Sequence, residues 1–216
     1  MDALPGERAS MRRQFELQGF LKLPALVAPP LLASLVDELD RTVFYERTHE
    51  GIGIELCATP GRVTGTLEFL MNDPPLFEAI SEMTGRGPIG CFEGRVYRLV
   101  PGTRHYDSWH SDAGEERLIG LSLNLGRERF EGGALEIRRA DSADAICEIE
   151  NRAMGDAVLF RIDPAFRHRV QAVTGSVART AYAGWFRTRP LFRELLAARL
   201  RGKKRKRQTR RRGRRR

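Results

Sequence analysis

Residues 109–112 read Trp-His-Ser-Asp, and residues 168–180 read HRVQAVTGSVART. How these two stretches meet decides the fold. His110 and Asp112 lie two positions apart, and on a strand such residues project to the same face, so both side chains can enter one interior. His168 follows Asp112 by 56 residues. In a barrel the first and last strands are neighbours, so that separation is no obstacle. Outward from these stretches, strand-like runs fall at 91–100, 105–112, 117–125, 134–139, 145–150, 156–162, 168–174 and 178–188. Short strands at near-regular spacing with turn residues between them predict an all-β sandwich or barrel.

The N-terminal part has a different grammar. Residues 7–18 (ERASMRRQFELQ) predict a helix closed by Gly19, and Phe20 to Leu23 a short strand ended by Pro24. Pro29 and Pro30 suit a helix start, and Leu31, Leu32, Leu35, Val36, Leu39 and Val43 recur at helical spacing. Residues 48–66, rich in Gly and Thr, predict a loop or a hairpin, and loops of that kind often cover active sites. Asp73-Pro74-Pro75 opens a helix that ends at Gly85, and Pro190 starts a last one over 191–200. Helices come first and strands after. The expected fold class is therefore mainly β with flanking helices packed outside a barrel core. The divisions are 1–88 as N-terminal support, 89–189 as the core, 190–200 as a C-terminal helix and 201–216 as a tail.

Charge is segregated along the chain. The net charge is +9, but 12 of the 37 Lys and Arg lie in 201–216, which holds no acid. The remainder carries 25 basic and 28 acidic side chains, a balance of −3. Having no apolar residue, the tail cannot offset its ordering entropy and is expected to be disordered, with a nucleic acid or another polyanionic surface as its partner. Cys57, Cys91 and Cys147 are too few and too scattered for a disulfide framework or a zinc site, and read as free thiols in a reducing compartment. No secretory signal or transmembrane segment is expected, which points to the cytoplasm, or to the nucleus if the cell has one.

His110, Asp112 and His168 form a two-His, one-carboxylate set, which leaves coordination positions open. A hard carboxylate and neutral imidazoles suit Fe(II) or Mn(II), and no thiolate stands near in the sequence to favour zinc. Alone, His-x-Asp is a weak signal, since the chain holds a second copy at His105-Tyr106-Asp107.

Further pieces surround the pair in a specific order. They are Arg95-Val96-Tyr97 with Gly102, Leu121-Ser122-Leu123-Asn124-Leu125, the Gly132-Gly133 turn, Gly155-Asp156-Ala157-Val158-Leu159-Phe160, and His168-Arg169-Val170 with Arg179-Thr180. In that order they resemble the catalytic domain of the 2-oxoglutarate/Fe(II)-dependent oxygenase superfamily. The region is the one shared by prolyl hydroxylases and phytanoyl-CoA-type hydroxylases. The Gly-Gly turn resembles the prolyl-hydroxylase branch. The Trp-His-x-Asp form and the N-terminal Gly19 to Pro24 resemble the phytanoyl-type branch.

The resemblance implies a double-stranded β-helix, or jelly-roll, core. It selects His110 and Asp112 over the second copy, with His168 as the distal metal ligand. Arg179 would take the far carboxylate of 2-oxoglutarate, for which a guanidinium fork is well shaped. Tyr97 and Asn124 would reach the cosubstrate from neighbouring strands. Fe(II), 2-oxoglutarate and O2 are the implied reactants, with ascorbate as an auxiliary. The carboxylate ligand implies hydroxylation rather than halogenation. The substrate would be a peptide, an amino acid or a small molecule, with the 48–66 loop and Arg138-Arg139 as candidate contacts.

Two rival readings remain at this point. A nucleic-acid dioxygenase acting on alkylated bases would use the basic tail, but the Arg-x-Asn-x-Thr-x-Arg pattern of such enzymes is not matched at Arg179-Thr180-Ala181-Tyr182. A cupin-like module that binds without turnover would have no need of all four of His110, Asp112, His168 and Arg179.

Overall fold

The structure, a computed structural model, describes residues 5–201. The expected disorder of the tail falls, except for Arg201, outside the described residues. Helix α1 (Pro5–Gln18) stops at Gly19, whose φ of +78° is a left-handed conformation that most side chains resist. Strand β1 (Phe20–Leu23) follows, then α2 (Pro29–Leu39), which buries Leu32, Leu35, Val36 and Leu39 along one stripe. The Gly- and Thr-rich stretch resolves into a hairpin, β2 (Phe44–His49) and β3 (Gly53–Ala58), followed by a helix that its composition hid, α3 (Arg62–Met71). Thr64 starts that helix by accepting the Gly61 N–H at 2.9 Å. Helix α4 (Pro74–Thr84) has Pro at its start and a left-handed Gly85 at its end, as its sequence predicts.

From Cys91 onward the chain is strands: β4 (Cys91–Leu99), β5 (Tyr106–Asp107), β6 (Arg117–Asn124), β7 (Glu131–Gly132), β8 (Leu135–Arg139), β9 (Ala145–Ile149), β10 (Ala157–Arg161), β11 (Phe166–Val170), β12 (Val173–Thr174) and β13 (Arg179–Arg187). Residues 192–201 close the described chain as a helix, α5. The expected 105–112 strand shrinks to β5 plus an isolated bridge at His110.

The large sheet runs β1-β10-β6-β13-β4-β3-β2, with β5 paired to β3. Facing it are β11-β8-β9 and the short pair β12-β7. Three strands from residues 20–58 thus extend the large sheet, so the N-terminal region contributes to the barrel wall as well as packing helices outside it. All the pairings are antiparallel, and the two curled sheets make the expected double-stranded β-helix.

Period-two alternation assigns each strand's residues to two layers. On β4, β6, β10 and β13, Phe92, Val96, Ile119, Leu121, Leu123, Ala157, Leu159, Tyr182 and Phe186 join the apolar layer under the helices. The alternate positions, among them Tyr97, Leu99, Val158, Phe160, Ala181 and Ala183, face the space between the sheets. That inner space holds the charged residues as well, and it is where the site lies. No described helix is long and apolar enough to cross a membrane.

Candidate metal centre and cosubstrate pocket

A cavity of about 420 Å³ lies between the sheets. His110, Asp112, His168, Arg179, Tyr97 and Ser122 all line it. His110 and His168 exchange both backbone hydrogen bonds, each at 3.0 Å, which brings their rings to a centroid separation of 4.3 Å. Each of His110, Asp112 and His168 offers one ligand atom, and the three atoms lie within 4.8 Å of one another.

The surroundings orient these ligands. The Nδ1 of His110 is 2.7 Å from the Ser108 carbonyl, so it carries the proton and leaves the Nε2 lone pair for a metal. The indole N–H of Trp185 donates to Asp112 Oδ2 at 2.5 Å. Arg117 lies 3.5 Å from Asp112 Oδ1 and stacks 4.0 Å over the Trp185 ring. Burial works to raise the Asp112 carboxyl, but the hydrogen bond and charge of His168, the Trp185 N–H and His110 hold it down at about 2. The group is therefore a carboxylate at neutral pH, as a metal ligand must be.

The donor set fits Fe(II): two imidazoles, one hard carboxylate, and no cysteine among the described residues lining the cavity. Burial also pushes the Cys57 and Cys91 thiols up to about 11, so neither is a thiolate at neutral pH.

Arg179 is 2% exposed on β13, and among the described residues it has no carboxylate partner. Its guanidinium donates to the Tyr97 hydroxyl and, at 3.0 Å, to Ser122 Oγ. Both hydroxyls accept from Arg179, so both keep their own protons to donate. Burial pushes the Tyr97 phenol up, which Arg179 only partly offsets, so it stays a donor. Asp107 feels the charge of Arg179 across the cavity but makes no ion pair with it, and a buried cation whose hydrogen-bond acceptors are all neutral is costly unless an anion joins it. Gly133 makes room for this arginine: a Cβ there would sit 3.0 Å from Arg179 Cδ and 2.9 Å from the Phe130 ring. Its φ of +64° also favours glycine.

Asn124 is placed differently from the expectation. It is buried, but its amide donates to the Ala153 carbonyl at 3.1 Å and its oxygen accepts the Gly126 N–H at 2.9 Å. It holds a loop together and does not line the cavity. The second His-x-Asp copy is also spent on structure. His105 Nδ1 accepts the Val100 N–H, and Asp107 takes the Val170 N–H at 2.7 Å while lining the cavity behind His110. Arg138 stacks 4.5 Å over Trp109, and Arg139 pairs with Asp141, so neither lines the cavity.

Ser122 and Trp185 were not singled out by sequence reasoning. A signal existed for both. Ser122 interrupts an otherwise apolar strand on its inward parity, and Trp185 is six positions after Arg179, hence on the same strand face.

Comparison with known proteins returns the same kinship. Residues 95–187 match the model of the 2OG-Fe(II) oxygenase superfamily. Among solved structures, a prolyl-4-hydroxylase from Pseudomonas putida is similar with a TM-score of 0.65 and 22% identity, over 85% of this chain and 100% of that one. A prolyl hydroxylase from Trichoplax adhaerens, in complex with a hypoxia inducible factor oxygen degradation domain peptide fragment, gives 0.62 and 17%, over 85% and 90%. The alpha ketoglutarate dependent epimerase SnoN of nogalamycin biosynthesis gives 0.62 and 12%, over 86% and 84%. No curated protein matches by sequence. Residues 95–187 thus match the superfamily that the ordered motifs resemble, and a His-Asp-His set lies within the core they form.

Proposed function

We propose that the protein is an Fe(II)- and 2-oxoglutarate-dependent dioxygenase that hydroxylates an unactivated C–H bond of a peptide, an amino acid or a small molecule. The observation that carries this reading is the buried, carboxylate-free Arg179 in the same cavity as His110, Asp112 and His168. A metal site alone has no use for a buried guanidinium. A dicarboxylate that chelates the metal at one end does.

Iron with 2-oxoglutarate supplies the oxidising power when bound, and the cosubstrate leaves as succinate and CO2. The protein's share is binding and orientation. His110, Asp112 and His168 would hold the metal. Arg179 would pair with the far carboxylate of the cosubstrate, with the hydroxyls of Tyr97 and Ser122 as further donors. Trp185 and Arg117 hold the Asp112 carboxylate in place from its two oxygens. Phe160, stacked 4.9 Å from the His168 ring, contributes apolar wall against water. Ascorbate would sustain turnover from solution. The twelve cations of 201–216 favour a polyanionic partner whose affinity falls with salt.

Anaerobic titration of the whole chain with Fe(II) and 2-oxoglutarate tests the reading. The visible charge-transfer band of the chelate is expected in the parent and absent in His168→Ala. A folded parent that gives no band contradicts the assignment.

A further inference from the structure

One cation of the cavity wall stands without an ion-pair partner. Four arginines line it: Arg47, Arg95, Arg117 and Arg179. Arg117 is answered by Asp112 and, at 2.8 Å, by Glu115. Arg179 is committed to the cosubstrate on the reading above. Arg95 is answered by Glu55, which is 6% exposed and takes both Nε and Nη2, the latter at 3.0 Å. Arg47 is different. It stands directly opposite Glu55 in the β2–β3 register, the natural place for a cross-strand pair. Yet it makes no ion pair among the described residues.

The charge of Glu55 is already matched by the fork of Arg95, which takes both of its oxygens. Its Oε1 accepts from Arg95, from His49 Nε2 at 2.8 Å and from Cys57 Sγ at 3.2 Å. The other cavity acids near this wall are engaged elsewhere: Glu93 with Arg187, and Asp107 with the Val170 N–H and, at 3.5 Å, His110 Nδ1. Arg47 is thus left without a carboxylate partner on the hairpin wall, and Arg95 Nη1 has no acceptor among the described residues.

We infer that this wall receives an acidic group of the substrate, a carboxylate, held by Arg47 together with the spare Nη1 donor of Arg95. His49 and Glu55 act as positioning residues: Glu55 fixes the Arg95 fork, and His49 holds Glu55 Oε1. The inference rests on the oxygenase reading, because it assigns the outer cavity to the substrate.

A matched pair of blocked dipeptides tests it: N-acetyl-prolyl-glutamate amide and its glutamine twin, which differ only in one carboxylate. Binding is measured by calorimetry on the anaerobic whole chain loaded with Fe(II) and 2-oxoglutarate, with the chelate band recorded on the same samples. The acid is expected to bind roughly tenfold or more tighter than the amide, the worth of a hydrogen-bonded charge pair. Arg47→Ala should abolish that preference and Arg47→Lys should restore part of it, both with the band and the 2-oxoglutarate affinity unchanged. Arg47 is exposed on a hairpin, so neither substitution threatens folding. Equal binding of the twins, no measurable binding of either at millimolar concentration, or a preference that survives Arg47→Ala overturns the inference. A missing band in the parent overturns the oxygenase reading instead, so the two failures are distinguishable.

Discussion

The two ends of the cavity solve the burial of charge in opposite ways. At the inner end, Asp112 is shared among His168, His110, Trp185 and Arg117, while Arg179 is left with hydroxyl partners only. At the hairpin end, Glu55 is claimed by Arg95, His49 and Cys57, and the unpaired charge sits on exposed Arg47. On the proposed reading, the cosubstrate completes the buried cation at the inner end. The outer end completes its buried acid internally and presents the remainder to whatever enters. An incomplete buried network marks a binding site, whereas a complete one marks scaffolding with a functional edge.

Substitutions at the two ends should therefore differ in what they change. The largest effect falls on the incomplete end. Arg179→Ala should raise the 2-oxoglutarate concentration needed to form half the chelate band by roughly 10- to 150-fold, the value of hydrogen bonds to a charged group. An unchanged midpoint would assign the cosubstrate carboxylate to another residue. Next comes the support of the carboxylate ligand. Trp185→Phe keeps a ring for Arg117 to stack on but removes the N–H on Asp112. Metal affinity, read by competition with a chelator, should fall by roughly 10- to 100-fold.

Asn124→Ala should separate structure from site. It leaves the Gly126 N–H and the Ala153 carbonyl without their partner, so stability to denaturant should drop by about 1–3 kcal/mol. The 2-oxoglutarate midpoint should not move, and a shift would return Asn124 to the site.

The smallest effect is at the complete end and concerns pH. Burial raises the Glu55 carboxyl, but Arg95 and His49 outweigh it and leave it below its ordinary value of 4.5. A carboxyl depressed in the folded state stabilises the protein above the unfolded value and loses that contribution as pH falls through the folded one. The parent should thus lose stability on acidification below about 4.5, and Glu55→Gln should show a shallower acid limb across the same window. Denaturant midpoints at a series of pH values read both, and parallel curves would mean that Glu55 contributes nothing through its charge.

These contrasts also explain what was legible in the sequence. The strands announced themselves by alternation, and His110, Asp112, His168 and Arg179 by the resemblance that the ordered motifs carry. Tyr97 reached the pocket because its strand parity places it inward, beside Arg179. Asn124 shares the parity of Ser122 but lies at the strand's end, where the backbone leaves the sheet and its amide has loop groups to satisfy. Parity predicts a face, not a depth along the strand. Helix α3 was hidden because Gly61, Thr64 and Gly65 carry turn signals while Val63, Leu67 and Met71 supply the buried face only in the folded context. The Glu55 network was illegible for a different reason. Its members come from β2, β3 and β4, and no local spacing announces that Arg95 on one strand will claim the acid facing Arg47 on another.

The backbone bridge between His110 and His168 has a consequence for how such a chain tolerates change. The two imidazoles are delivered as a cross-strand pair, so their meeting depends on register and not on the contour length between them. Insertions or deletions in the exposed turn at 140–144 can alter that length while leaving the pair intact. A slip of one residue at the bridge would turn a ring to the opposite face. The metal set thus acts as a lock on register that leaves the intervening loops free to vary, and new specificities can be grafted there without rebuilding the centre.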